Sequence, residues 1–211
     1  MNEKIIWDYL KKQGFNDYGV AGILGNMHAE SACSPINLQN SGNNRLNMSD
    51  REYTDAVDNG TYRNFVKDSH GYGLCQWTYW SRKEALFKLA QSKGCSIGDI
   101  NVQLEYLIKE LRQYGLLEKL KNAASVYEAT KIFMLEFEKP ANQSESNVRV
   151  RVGYSDVYYK RYGHKLSSGE YIKKIVTKVG YDEPNSVIAA LSQVQHPFIT
   201  DLWRKLYEAM K

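Results

Sequence analysis

A chain of 211 residues, 43% of them hydrophobic and 25% charged, has room for one domain of about 150 residues plus a small appendage, and it is neither disordered nor fibrous in composition. The formal net charge of +4 sets 28 basic against 24 acidic residues without a basic block, which argues against a nucleic-acid partner. No apolar run nears the roughly 20 residues that span a bilayer, so no membrane span is expected.

At the N-terminus, MNEKIIWDYLKKQ carries acids among its bases and no small-residue cleavage site, and predicts a helix over 2–13 rather than a secretory leader. From Asp17, an N-cap candidate, Val20, Ile23, Leu24 and Met27 recur on one face and predict a helix over 17–31. Gly19, Gly22 and Gly25 each cost a helix interior roughly 1 kcal/mol relative to alanine; three at this spacing point to a central helix that its neighbours approach closely. Further helices are expected over 50–58, 81–93, 99–113, 125–138 and 144–161. Ser49 with Glu52, Ser81 with Glu84 and Ser125 with Glu128 give the S-x-x-E capping box, whose side chains satisfy backbone donors orphaned at a helix start. Only Thr61–Val66 and Tyr72–Trp77 could pair as strands, and briefly. The fold class is therefore mainly α, with a minimal β element.

A boundary is expected at YGHKLSSG, Tyr162 to Gly169, where a helical pattern gives way to small and polar residues before a fourth box at Ser167 and Glu170. Beyond it, YIKKIVTKV, EPNSVIAALSQV and FITDLWRKLYEAM read as three helices. The domains are thus residues 1–163 and a small helical segment, 164–211, that either docks on the first or is a binding module.

Two segments carry the chemistry. In GILGNMHAES, Glu30 projects about 20° from Ile23, one turn beyond Met27, so its carboxyl is partly buried at the negative end of the helix dipole. Both effects raise a carboxyl pKa, as a general acid working near neutrality requires; the alternative is a solvated glutamate at a helix end. His28 and Glu30 match the H-x-E half of a zinc deaminase, but no Pro-Cys occurs, and the four histidines are scattered. Cys33, Cys75 and Cys95 are odd in number and widely spaced, which suits a reducing cytosol and neither a disulfide framework nor a cysteine zinc site. No metal and no cofactor is expected, and His28 reads as a surface or packing histidine. The second segment is DSHGYGLCQWTYW. Gly71 and Gly73 flank Tyr72, Gln76 offers a donor and an acceptor, and Tyr72, Trp77, Tyr79 and Trp80 offer rings that suit sugar faces. It reads as a substrate groove, or else as a glycine-bent hairpin whose rings fill core.

A glutamate ending an apolar helix as ES, followed by GYGLCQW, resembles the lysozyme-like superfamily, where E-S precedes a G-x-G-L-x-Q element lining the glycan groove. GILGNMHAES, VDNGTYRNF, GYGLCQWTYWSRKEAL and FEKPANQS together resemble the phage tail lysozyme family over residues 1–163. The resemblance implies a glycoside hydrolase that cuts the β-1,4 bond between N-acetylmuramic acid and N-acetylglucosamine in peptidoglycan, with Glu30 as proton donor; Tyr72, Gln76, Trp77 and Tyr79 are expected to bind the glycan by the ring and amide chemistry above. A second carboxylate is sought at Asp68, which precedes Gly71 at nearly the offset of an aspartate in goose-type lysozymes, or at Asp58. Two alternatives stand beside a hydrolase: a lytic transglycosylase on the same bond, and a non-catalytic wall-binding or virion structural protein. The expected partners are peptidoglycan strands and, through the basic residues near Trp203, anionic wall polymers. The expected location is the wall, reached from the host cytoplasm through a holin or on a virion tail.

Overall fold

The glycine-bearing helix is the axle of the architecture. It runs over Asp17–Ser31 as α2, after α1 (Asn2–Lys12), with Ile23, Leu24 and Met27 wholly buried. Its cap is Asn16 rather than Asp17: the Asn16 side chain accepts from the Gly19 amide at 2.8 Å, while Asp17 in the first turn meets Lys11 at 2.6 Å. Gly22 and Gly25 explain the tight wrapping. A Cβ on Gly22 would stand 2.7 Å from the backbone of Ala129, and one on Gly25 would stand 2.6 Å from the Ser155 backbone nitrogen. These contacts belong to α8 (Val126–Ile132) and α9 (Glu145–Tyr162), which clasp α2.

The computed structural model describes residues 1–163, 168–179 and 199–210. Two compact units divide the chain, Met1–Gly163 and His164–Lys211. In the first, α3 (Asn40–Leu46) and α4 (Asp50–Asp58) follow α2; then come α5 (Trp80–Ser92), α6 (Ile100–Gln113) and α7 (Leu117–Lys121) before α8. The capping box at Ser49 and Glu52 forms in full, and Ser125 accepts from the Glu128 amide at 3.1 Å. The box expected at Ser81 does not form, because α5 starts a residue earlier, with Tyr79 as its cap. The expected 125–138 helix changes pitch: Phe133–Glu138 is π-helical and closes on Lys139, whose amide donates to the Met134 carbonyl at 2.8 Å. Pro140 follows and disfavours helical backbone at Lys139, which turns left-handed at φ 53°.

The mainly helical class holds. Among the described residues, pairing is limited to isolated antiparallel bridges, Leu38 with Tyr72 and Tyr72 with Trp77; Thr61–Val66 is loop and turn. In the second unit, α10 (Ser168–Val179) and α11 (Ile199–Ala209) pack on each other, and Ile172 and Val176 are buried. The middle helix expected at EPNSVIAALSQV, and Ser167 of the fourth capping box, lie outside the described residues. Among the described residues no helix is long and apolar enough to cross a membrane.

Candidate active site

The C-terminal end of α2 is fastened to the glycine-bent segment by one hydroxyl. Ser31 Oγ lies 3.0 Å from both the Met27 and the Leu74 carbonyl oxygens, so the residue after Glu30 ties the helix to the loop over residues 71–77. Ala32 and Cys33 then take left-handed backbone, at φ 50° and 59°, and the chain doubles back beside that loop. There the Gln39 amide donates to the Gly71 carbonyl at 2.9 Å, and Gln76 Nε2 donates to Asn37 Oδ1 at 2.9 Å. Asp50 accepts from the Leu38 amide and from Asn43 Nδ2, each at 3.1 Å, and steadies the asparagine-rich wall.

These ties leave a cleft of about 650 Å³. Glu30 and Glu138 are the carboxyl groups that line it, with Asn37, Gln39, Asn40 and Ser41 on one side and Gln76, Thr78, Tyr79 and Arg82 among the rest. A second recess, lined by Lys67, Ser69, Thr78, Tyr79 and Trp80, shares Thr78 and Tyr79 with it. Tyr79 and Trp80 are 63% and 51% exposed, with ring centroids 6.0 Å apart, and form an aromatic shelf contiguous with the cleft.

Glu30 is partly buried, as its helical projection suggests, and Arg151 sits upon it. Arg151 Nη2 meets Glu30 Oε1 at 2.5 Å, and Arg151 Nη1 donates to Asn26 Oδ1 at 3.2 Å. Asn26, one turn before Glu30 and wholly buried, is itself held by the Gly22 and Thr130 carbonyls through Nδ2. The bare backbone at Gly25 is what lets this part of α9 come so near: the Arg151 carbonyl lies 2.8 Å from where a Cβ would be. Glu138, the last residue of the π-helical segment, lines the same cleft within hydrogen-bonding reach of Glu30. Its Oε1 is sealed from solvent and meets no donor among the described residues. Burial, and next the Glu30 charge, push the Glu138 carboxyl well above the usual carboxylate range, while Arg151 and Arg82 oppose them.

Several residues expected at the site stand elsewhere. Asp68 does not line the cleft. Its buried carboxylate accepts from Lys83 Nζ and Tyr53 OH, each at 2.5 Å, and from the His70 amide at 3.0 Å, so its lone pairs are occupied by the core. Asp58 ends α4 as expected but does not line the cleft; it accepts from Ser96 Oγ and from the Ile97 amide at 2.9 Å. Tyr72 and Trp77 are wholly buried: Tyr72 OH pairs with Thr54 Oγ1 at 2.7 Å, and Trp77 Nε1 donates to Glu110 at 2.7 Å. Tyr72 lies in the buried run 70–75, and Trp77 turns inward between the outward Gln76 and Thr78, so both rings fill core. Gln76 and Tyr79 do line the cleft, Gln76 with left-handed backbone at φ 45°. His28 packs on Tyr154 at 4.4 Å between centroids and bonds Tyr158 OH at 2.8 Å.

Sequence reasoning missed Glu138 and Arg151. The signals were present: an acid just before a helix-stopping proline in FEKP, and an arginine in the buried stripe Val148, Arg151, Ser155 and Tyr158 of α9, which needs an anion.

Residues 1–162 match the family model described as phage tail lysozyme. A curated relative, Morphogenesis protein 1 of Bacillus phage B103, is 26% identical over 178 residues, which cover 80% of this chain and 41% of that protein. The chain therefore spans less than half the length of that relative.

Proposed function

The chain belongs to the phage tail lysozyme family, which implies glycoside hydrolase activity on peptidoglycan, and from that premise we propose that it cleaves the β-1,4 bond after N-acetylmuramic acid with Glu30 as general acid. The observation that carries this reading is the placement of Glu30: a half-sheltered carboxyl in a polar cleft, gripped by a buried arginine and abutted by a second carboxyl. Amide and hydroxyl walls at Asn37, Gln39, Asn40 and Ser41 suit sugar hydroxyl and acetamido groups, and the Tyr79 and Trp80 shelf suits a sugar face farther along the strand. Glu30 gives its proton to the leaving glycosidic oxygen as the C1–O bond breaks.

The carboxyl groups that line the cleft bear on what attacks C1. Retaining glycosidases separate their two carboxyl groups by about 5–5.5 Å and inverting ones by about 6.5–9.5 Å. Glu30 and Glu138 lie within hydrogen-bonding reach of each other, too close to flank a sugar, and among the described residues no other carboxyl lines the cleft. This favours a second reading within the same site, a lytic transglycosylase in which the muramic 6-hydroxyl takes the place of water. That the relative is named a morphogenesis protein supports a virion-borne lysin over a holin-released one. The second unit is read as a wall-affinity module for anionic polymers, motivated by exposed Lys173 and Lys205 and by Leu202, which is 56% exposed.

Glu30→Gln tests the assignment. It keeps size and hydrogen bonding to Arg151 but has no acid proton, so dye release from labelled walls should fall by a factor of about 10² to 10⁴ with an unchanged circular dichroism spectrum. Retention of more than about a third of wild-type activity overturns Glu30 as the acid.

A further inference from the structure

The Glu30 and Glu138 contact has a chemical requirement of its own. Two carboxylates in hydrogen-bond contact need a proton between them, because each is an acceptor only when ionised. Glu138 Oε1 is sealed from solvent and faces no donor among the described residues, so water does not supply what the neighbour lacks. The charges around the pair come from every side. Arg151 of α9 binds Glu30 directly; Arg82 of α5 faces the pair but is committed to Glu110 of α6, at 2.6 and 2.8 Å; and Cys75, in the loop below, is buried and held well above the usual thiol range by desolvation. Two arginines and three glutamates thus leave one negative charge, which one proton cancels.

We propose that Glu30 and Glu138 hold a single proton in common, and that Glu138 is a positioning residue that stores it for Glu30. The idea rests on Glu30 being the acid. At rest the sheltered Glu138 carries the proton and points it at Glu30, which Arg151 holds in place. As the leaving oxygen gathers charge, the proton on Glu138 passes to Glu30, and Glu30 hands that same proton on to the glycosidic oxygen. The C1–O electron pair stays on that oxygen, Glu30 ends as it began, and Glu138 is left ionised until water restores its proton after product leaves. A relay of this kind lets a carboxyl that is paired with an arginine still work as an acid.

The test is Glu138→Gln. Its amide still donates to Glu30 but lends no proton, so cleavage at neutral pH should fall at least tenfold, and the alkaline limb of kcat/KM should move down by a pH unit or more, with activity recovering toward wild type as the pH is lowered. A residue that merely fills space would lower the rate without moving that limb. An unmoved limb in a folded Glu138→Gln protein overturns the proposal. The wild-type protein offers a second readout that needs no variant and no activity: its infrared spectrum at pH 7 should retain the carbonyl band of a protonated carboxyl. If that band is absent, the proton is not shared. If the band is present while Glu30→Gln remains active, the pair stands and the assignment of Glu30 as the acid fails instead.

Discussion

A carboxyl side chain takes its chemistry from what its oxygens touch, and three acids in this molecule show how far that divides them. Asp68 is spent on Lys83, Tyr53 and the His70 amide; burial pulls the Lys83 ammonium down and Asp68 pushes it back up. Breaking one side of such a buried pair costs about 3–5 kcal/mol, so Asp68→Asn should lower the melting temperature by roughly 10 °C while leaving cleavage per folded molecule near wild type. A catalytic carboxylate would show the reverse, lost turnover with an unchanged melt. Glu138 makes an opposite contribution to stability. Its folded-state pKa is raised, so its cost grows as the pH climbs from the unfolded value of 4.5 through the folded one. Glu138→Gln should therefore melt higher than wild type at neutral pH, with the gain vanishing near pH 4. Nothing in the local sequence separates these acids. Glu30 could be singled out because a helical stripe ends on it, whereas the partners of Asp68 come from α4 and α5 and those of Glu138 from α2 and α9.

Among the elements, the long amphipathic helices were legible because apolar spacing and polar caps agree, as at Ser49 with Glu52 and Asp99 with the amides of Asn101 and Val102. What stayed hidden was short or irregular. α3 is NSGNNRL, poor in helix formers and supported by Asp50, and α7 has five residues. The π-helical turn depends on tertiary packing, with the Phe133 and Phe137 rings tilted together at 4.6 Å and Arg82 over Phe137 at 4.8 Å. Likewise the rings of GYGLCQWTYW sort into core and cleft through tertiary partners: Tyr72 bridges to Leu38 and Trp77, and Trp77 reaches Glu110. The glycines of α2 were legible as contact points but not as to which helix they touch. Gly25→Ala would push a methyl group into the Ser155 backbone, so it should destabilise the fold by about 1–3 kcal/mol or more and, by shifting Arg151 off Glu30, also lower cleavage. Thermal melts and dye release on the same preparation check both; an unchanged melt would mean that α9 yields there freely.

For the whole molecule, the two units invite separation. A chain ending at Gly163 keeps the core and every cleft residue within one unit. It should fold, cleave soluble glycan fragments at the wild-type rate, and clear intact walls more slowly, most visibly at low salt, because tethering raises local concentration without touching the chemistry. Equal loss on both substrates would make the second unit part of the catalytic fold. The central claim, that Glu30 protonates a glycosidic oxygen in peptidoglycan, is tested most directly by mass spectrometry of the fragments that wild type and Glu30→Gln release from purified walls. The account predicts disaccharide peptides ending in muramic acid from wild type alone, either reducing or, for the transglycosylase reading, lighter by one water as the 1,6-anhydro sugar. Fragments cut at a peptide or amide bond, or the same muropeptides from both proteins, would contradict it.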